Sequence, residues 1–113
     1  MGVRFTVPFA IEAGADSDSK YELYEVEFPK VRTKEIELHF ESGVMNVLFV
    51  SLYYGDMKVA PQTAEWTADG GRIVDYPDAL YFRGDKILLR VRNTDTTTSH
   101  KVWGSIELEV EED

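Results

Sequence analysis

Along most of this chain apolar and polar residues alternate one for one, and no segment of ten or more residues carries a helical period. A period of two sends successive side chains to opposite faces of a strand, so such a chain buries itself as packed or closed sheets. Val3, Phe5, Val7, Phe9 and Ile11 alternate with Arg4, Thr6, Pro8, Ala10 and Glu12. Pro8 has no ladder N–H, which puts this strand at an edge or a bulge. After a loop at 14–19, GADSDS, the residues Tyr24, Val26 and Phe28 form a second strand that stops at Pro29. Ile36, Leu38 and Phe40 form a third, and Glu41-Ser42-Gly43 turns into a fourth, NVLFVSLYYGD at 46–56.

Gly55-Asp56 reads as a tight hairpin into Met57–Ala60. A loop at 61–71 follows, then short strands at Arg72–Tyr76, Ala79–Arg83 and Lys86–Asn93. The last strand has Val102, Gly104, Ile106, Leu108 and Val110 on one face, with Lys101, Trp103, Ser105, Glu107 and Glu109 on the other. Glu111-Glu112-Asp113 is an acidic tail. About eight strands with turn signals every 8–12 residues predict a single all-β domain over 1–113. Its architecture is an antiparallel β-sandwich, jelly-roll or immunoglobulin-like, and periodicity does not choose between those topologies.

The fourth strand breaks the pattern. Leu48, Val50, Leu52 and Tyr54 make one apolar face, and Val47, Phe49, Ser51 and Tyr53 make another nearly as apolar. A two-layer sandwich covers only one of them. Either the loop 61–71 folds across with Trp66 as its lid, or a second subunit does, and the sequence reading favours the subunit. Val47, Phe49 and Tyr53 are therefore candidate interface residues, with Trp103, which alternation puts on a polar face. Trp103 has two structural readings, a contact with Arg90 or Arg92 or a covering loop, and one functional reading, an anchor for a partner. Tyr54, Trp66, Tyr76 and Tyr81 are candidate loop or ligand aromatics; the structural reading of Trp66 is a plug at the end of the sandwich.

Composition narrows the function. The 113 residues are 43% hydrophobic and 12% aromatic, a globular make-up. A net charge of −9 opposes nucleic acid and anionic membrane as partners. The absence of cysteine removes disulfides, thiol catalysis and cysteine metal sites. No apolar run approaches the ~18 residues of a membrane span, and the first residues read as a strand rather than a signal peptide, so cytoplasmic synthesis is expected. His39 reads as solvated. His100 closes the loop NTDTTTSH, where Asn93 and Asp95 read as Asx turns in preference to metal ligands. The oxygen-rich loops 15–19 and 67–71 lack EF-hand spacing and are weak Ca²⁺ candidates. With no nucleotide, hydrolase or zinc-protease motif, the chain is expected not to be an enzyme. No catalytic residue, cofactor or metal ligand is assigned.

Tyr54-Gly55, Pro61, Trp66, Asn93-x-Asp95, His100-x-Val102 and Ile106 together resemble a loose group of short all-β proteins, mostly uncharacterised, from thermophilic prokaryotes and their viruses. The resemblance spans most of the chain, specifies no chemistry, and departs in the Glu-rich early strands. It implies a virion accessory role, such as capsid decoration or a fibre base. The expected function is thus a non-enzymatic structural subunit, a homo-oligomer of three or more copies, with a capsid or other assembly lattice as further partner and the virion as a further location. The alternative is a carbohydrate-binding module using the exposed aromatics, Tyr53 among them, as platforms.

Overall fold

A computed structural model describes residues 3–42, 45–62 and 64–111. Gly43 of the Glu41–Gly43 turn and Glu112-Asp113 of the acidic tail lie outside them. The elements are β1 (Arg4–Ala13), β2 (Ser17–Glu25), β3 (Lys30–Phe40), β4 (Leu48–Tyr54), β5 (Met57–Ala60), β6 (Gly71–Asp75), β7 (Leu80–Phe82), β8 (Lys86–Asn93) and β9 (His100–Val110). Among the described residues there is no helix, so none is long and apolar enough to cross a membrane.

The chain is a nested hairpin rolled into two layers. β4 pairs with β5, β3 with β6 and β7, β2 with β8, and β1 with β9, every pair antiparallel. Rolling adds the β3–β9 and β4–β8 pairings. One sheet then runs β1-β9-β3-β6, with β7 beside β3, and the other runs β2-β8-β4-β5. Fold class follows the alternation: an all-β antiparallel sandwich. β1 is an edge strand, where Pro8 withdraws nothing from an interior ladder.

The core lies where the two inner faces meet. Ile36 and Leu38 from β3, Val102, Ile106 and Leu108 from β9, Leu48, Val50 and Leu52 from β4, and Ile87, Leu89 and Val91 from β8 are all fully buried. Each such side chain contributes roughly 1.5–3 kcal/mol on leaving water. Tyr54, predicted for this face, is instead exposed at the β4–β5 turn.

Two bulges relocate early boundaries. β3 pairs with β9 through Val31 and Thr33, slips at Lys34, and resumes at Glu35, so Val31, Thr33, Ile36, Leu38 and Phe40 all face inward. The strand therefore begins at Lys30, before the first residue that plain alternation selects. β2 slips between Glu22 and Tyr24. It starts at Ser17, inside the predicted 14–19 loop, and stops at Glu25, which leaves Phe28 exposed beyond its end.

Gly104 is required by close approach. A Cβ there would lie 1.8 Å from the Glu37 carbonyl oxygen on β3. Gly104→Ala is expected to lower the unfolding free energy, read from the urea midpoint, by about 1–3 kcal/mol through forced strand separation, whereas Gly14→Ala, with open space around it, leaves stability nearly unchanged. Equal midpoints for the two variants would contradict this account.

Candidate functional site

Four places in this sandwich gather chemistry. The first is the outer face of β4. Phe49 lies under Arg92, whose guanidinium carbon is 4.4 Å from the ring centre, and Arg92 is held by Glu65 at 2.7 Å. Tyr53 lies between Lys20, 4.5 Å from its ring centre, and Arg90, which donates to its hydroxyl at 3.3 Å. Arg90 is fixed by two bonds to Asp18, at 2.8 and 2.6 Å, and that contact holds the Asp18 carboxyl below its usual range. Val47, Phe49 and Tyr53 are half-buried. Their partial cover is a layer of this chain's own cations, with the alkyl stems and charged heads lying over the rings.

The loop 61–71, the alternative to a second subunit as cover for this face, does not lay Trp66 across it. Trp66 exchanges two backbone bonds with Val50, at 2.8 and 2.9 Å, and its side chain enters the core. Its indole N–H donates to Asp75 at 3.0 Å. Trp66 and Tyr81 are both buried, so neither offers a face to a ligand. For Tyr81 the reason is the short β7 pairing, which turns Leu80 and Phe82 outward and the tyrosine in. Burial pushes its hydroxyl up to about 12. Tyr54 and Tyr76 remain exposed, the Tyr54 ring 5.9 Å from that of Tyr81.

Trp103 is exposed and does not meet Arg90 or Arg92, which belong to β8 of the other sheet. β9 instead neighbours β3, and the indole stacks on His39 at 5.9 Å with planes 10° apart. His39 is held by Glu37 at 3.2 Å, and Glu37 also takes Arg72 at 3.1 Å. His39 is thus a partner of Trp103 rather than a solvated side chain.

The end of the sandwich formed by the 93–99 loop is polar and tightly bonded. Asn93 Nδ2 reaches the carbonyls of Ala13, Gly14 and Thr98, and its Oδ1 accepts from Asp95 N–H. Asp95 Oδ1 accepts from the N–H of Thr97 and Thr98, completing the predicted turn scaffold. His100 Nε2 lies 2.9 Å from Asp95 and Nδ1 lies 3.1 Å from Glu41. Ionised carboxylates only accept, so the cationic ring, which donates from both nitrogens, is the form this pair of contacts favours. Glu41 has no sequence signal, since 59 positions separate it from His100. No group of three or more ligands suited to a metal occurs among the described residues.

The opposite end carries most of the exposed apolar side chains, interspersed with Asp56, Lys58, Asp85 and Lys86. Val3, Phe28, Tyr54, Met57, Leu80 and Phe82, six of the nine exposed large apolar side chains among the described residues, gather there. A groove of about 470 Å³ lined by Val3, Phe5, Tyr24, Phe28 and Val110 opens between edge strands β1 and β2. Another, of about 340 Å³, opens between β5 and β7 and includes Tyr54, Met57, Val59, Leu80 and Phe82. The two grooves share no lining residue and together expose much apolar side chain at one end, a feature that in soluble proteins marks interaction sites. The sequence reading missed this end because its residues come from six separate segments.

No family model matches the chain, and no curated protein does. Solved structures share its fold. A chain of infectious bursal disease virus, Gx strain, aligns with 97% of this chain at 12% identity and a TM-score of 0.54. A chain of the Gt strain aligns with 96% at 11% identity and a TM-score of 0.54. This chain spans about a third of each viral chain, 33% and 32%. A pilus chain of the Bacillus endospore appendages, described as disulfide-linked, aligns over 100% of this chain and 92% of its own, at 10% identity and a TM-score of 0.50.

The His100 clamp gives stability a pH dependence of fixed sign. Hydrogen bonding to Asp95, then to Glu41, raises the His100 pKa above its ordinary 6.5. Its contribution is complete below that value and is lost as pH rises through the folded pKa. Asp95, held to about 2 against an ordinary 3.8 by the Thr97 N–H and then by His100, contributes above 3.8 and loses it as pH falls through about 2. The urea midpoint is expected to fall from about pH 6 to about pH 9, and to fall less in His100→Gln, which retains His39. Parallel profiles for the two proteins would refute the clamp.

Proposed function

We propose that this chain is a non-enzymatic structural subunit that self-associates in assemblies of three or more copies, of the virion accessory kind. The observation that carries the reading is the apolar end, with two unlike grooves on opposite seams of the sandwich. A two-fold contact uses one patch on both copies, whereas two unlike patches favour a heterologous contact that closes as a ring or continues as a filament. The strand order β1-β9-β3-β6 over β2-β8-β4-β5 supports the jelly-roll reading of the sandwich over the immunoglobulin-like one. The viral and pilus folds support a structural role at the level of architecture.

The proposed contact falls at the apolar end rather than on the outer face of β4, where Lys20, Arg90 and Arg92 already lie over the aromatics. It is not disulfide-linked, because the sequence has no cysteine. Like-charged copies of net charge −9 repel, so association should strengthen as salt screens them.

Sedimentation velocity at micromolar concentration is the test. The wild type is expected to sediment as a trimer or larger species, more completely at higher salt. Met57→Glu with Phe82→Glu, both at exposed positions, should give a folded monomer with the Trp66 emission retained. A wild type that stays monomeric across salt and concentration overturns the proposal.

A further inference from the structure

The Trp103 face is a different kind of surface from the apolar end. Trp103 lies on β9 between Ala10 of β1 and His39 of β3. Stacking on His39 fixes the indole orientation and occupies its β3 side. On the β1 side the small Ala10 leaves a groove of about 280 Å³, lined by Ala10, Ile11, Glu12, Lys101, Val102 and Trp103. Glu12 and Lys101 are directly opposed across the β1–β9 ladder. Neither side chain has a hydrogen-bonding or ion-pair partner among the described residues. The groove therefore combines an aromatic wall, a floor of the Ala10 methyl and strand backbone (the Ile11 and Val102 side chains point into the core), one free carboxylate and one free ammonium.

We infer that this groove binds the pyranose ring of a neutral hexose. The axial C–H face of such a ring packs on an indole, and its rim of hydroxyls both donates and accepts. Glu12 accepts from one hydroxyl and Lys101 donates to another, so each charge keeps a polar partner as water leaves. An apolar side chain in the same groove would desolvate both charges unpaired, which is costly. An anionic sugar would meet Glu12 and a chain of net charge −9. The volume is below the roughly 300–1,000 Å³ of drug-sized sites, which suits one ring rather than an oligosaccharide. With one platform and few polar contacts, affinity should be on the order of 1 mM.

The test uses the two indole N–H resonances, with buried Trp66 as internal reference for Trp103. Methyl β-glucoside, methyl β-galactoside and methyl α-mannoside are titrated separately to about 50 mM, well past the expected Kd. At least one should shift the Trp103 indole and the Ala10, Glu12 and Lys101 amides saturably, leaving the Trp66 indole in place. Trp103→Ala should abolish saturation at Ala10 and Glu12 while the Trp66 signal reports an intact fold. The combined Glu12→Gln and Lys101→Met variant should weaken binding several-fold with the indole platform retained. No saturable shift with any of the three sugars overturns the inference. So do equal shifts in Trp103→Ala, or Trp103 shifts that follow protein concentration without sugar and mark a contact between copies.

Discussion

β9 runs between β1 and β3, hydrogen-bonded to both, and its register is the constraint on which the other features depend. Its inward residues Val102, Ile106 and Leu108 are fully buried, while Trp103 and Glu107 face out. A slip of one residue would exchange those sets, which the core forbids. The same register brings His100 to Glu41 at one end, Trp103 to His39 in the middle, and Val110 into the apolar groove at the other. Gly104 permits it, since any side chain there would strike the Glu37 carbonyl.

Charge is distributed by place rather than by total. A chain of net charge −9 nevertheless concentrates Lys20, Arg90 and Arg92 over the outer aromatics of β4. Each cation is held by an acid, Asp56, Asp18 or Glu65, and each lies over a ring. An exposed contact of this kind contributes about 0.5–1 kcal/mol. Collectively the layer gives a two-sided strand partial cover without a third layer of structure. The polar end is likewise self-sufficient, because Asn93, Asp95, Glu41 and His100 satisfy one another and the loop backbone. The apolar end has internal contacts too, Phe5 with Tyr24 and Phe28 and Tyr54 with Tyr81, yet Val3, Met57 and Phe82 remain exposed there.

Alternation carried the fold class, the Gly55-Asp56 hairpin and the later strands, because β8 and β9 keep an unbroken period of two through the core. It failed where the backbone slips. At Lys34 one extra residue shifts Val31 and Thr33 out of phase with Ile36, and the start of β3 disappears from the pattern. Ser17–Lys20 look like a loop by composition, yet Asp18 is polar because it faces outward to Arg90. The site residues were harder still. That the aromatics of β4 meet arginines is a property of the β4–β8 pairing, as the Trp103–His39 stack is of β9–β3. Neither pairing is visible before the hairpin is rolled. Glu41 and the apolar end are legible only in three dimensions, being assembled from distant segments.

Nested pairing also bears on how the molecule comes into being. The innermost hairpin, β4–β5, closes over two residues, whereas β1 finds its partner only when β9 exists. Until then β1 and β3 lack the strand that separates and joins them, although every strand of the facing sheet precedes β9 in the chain. Such long-range closure folds slowly and leaves apolar edges uncovered meanwhile. During synthesis the sheet containing β1 stays unfinished until β9 has left the ribosome. The outer surface of this sheet is therefore complete only after translation of the whole sandwich.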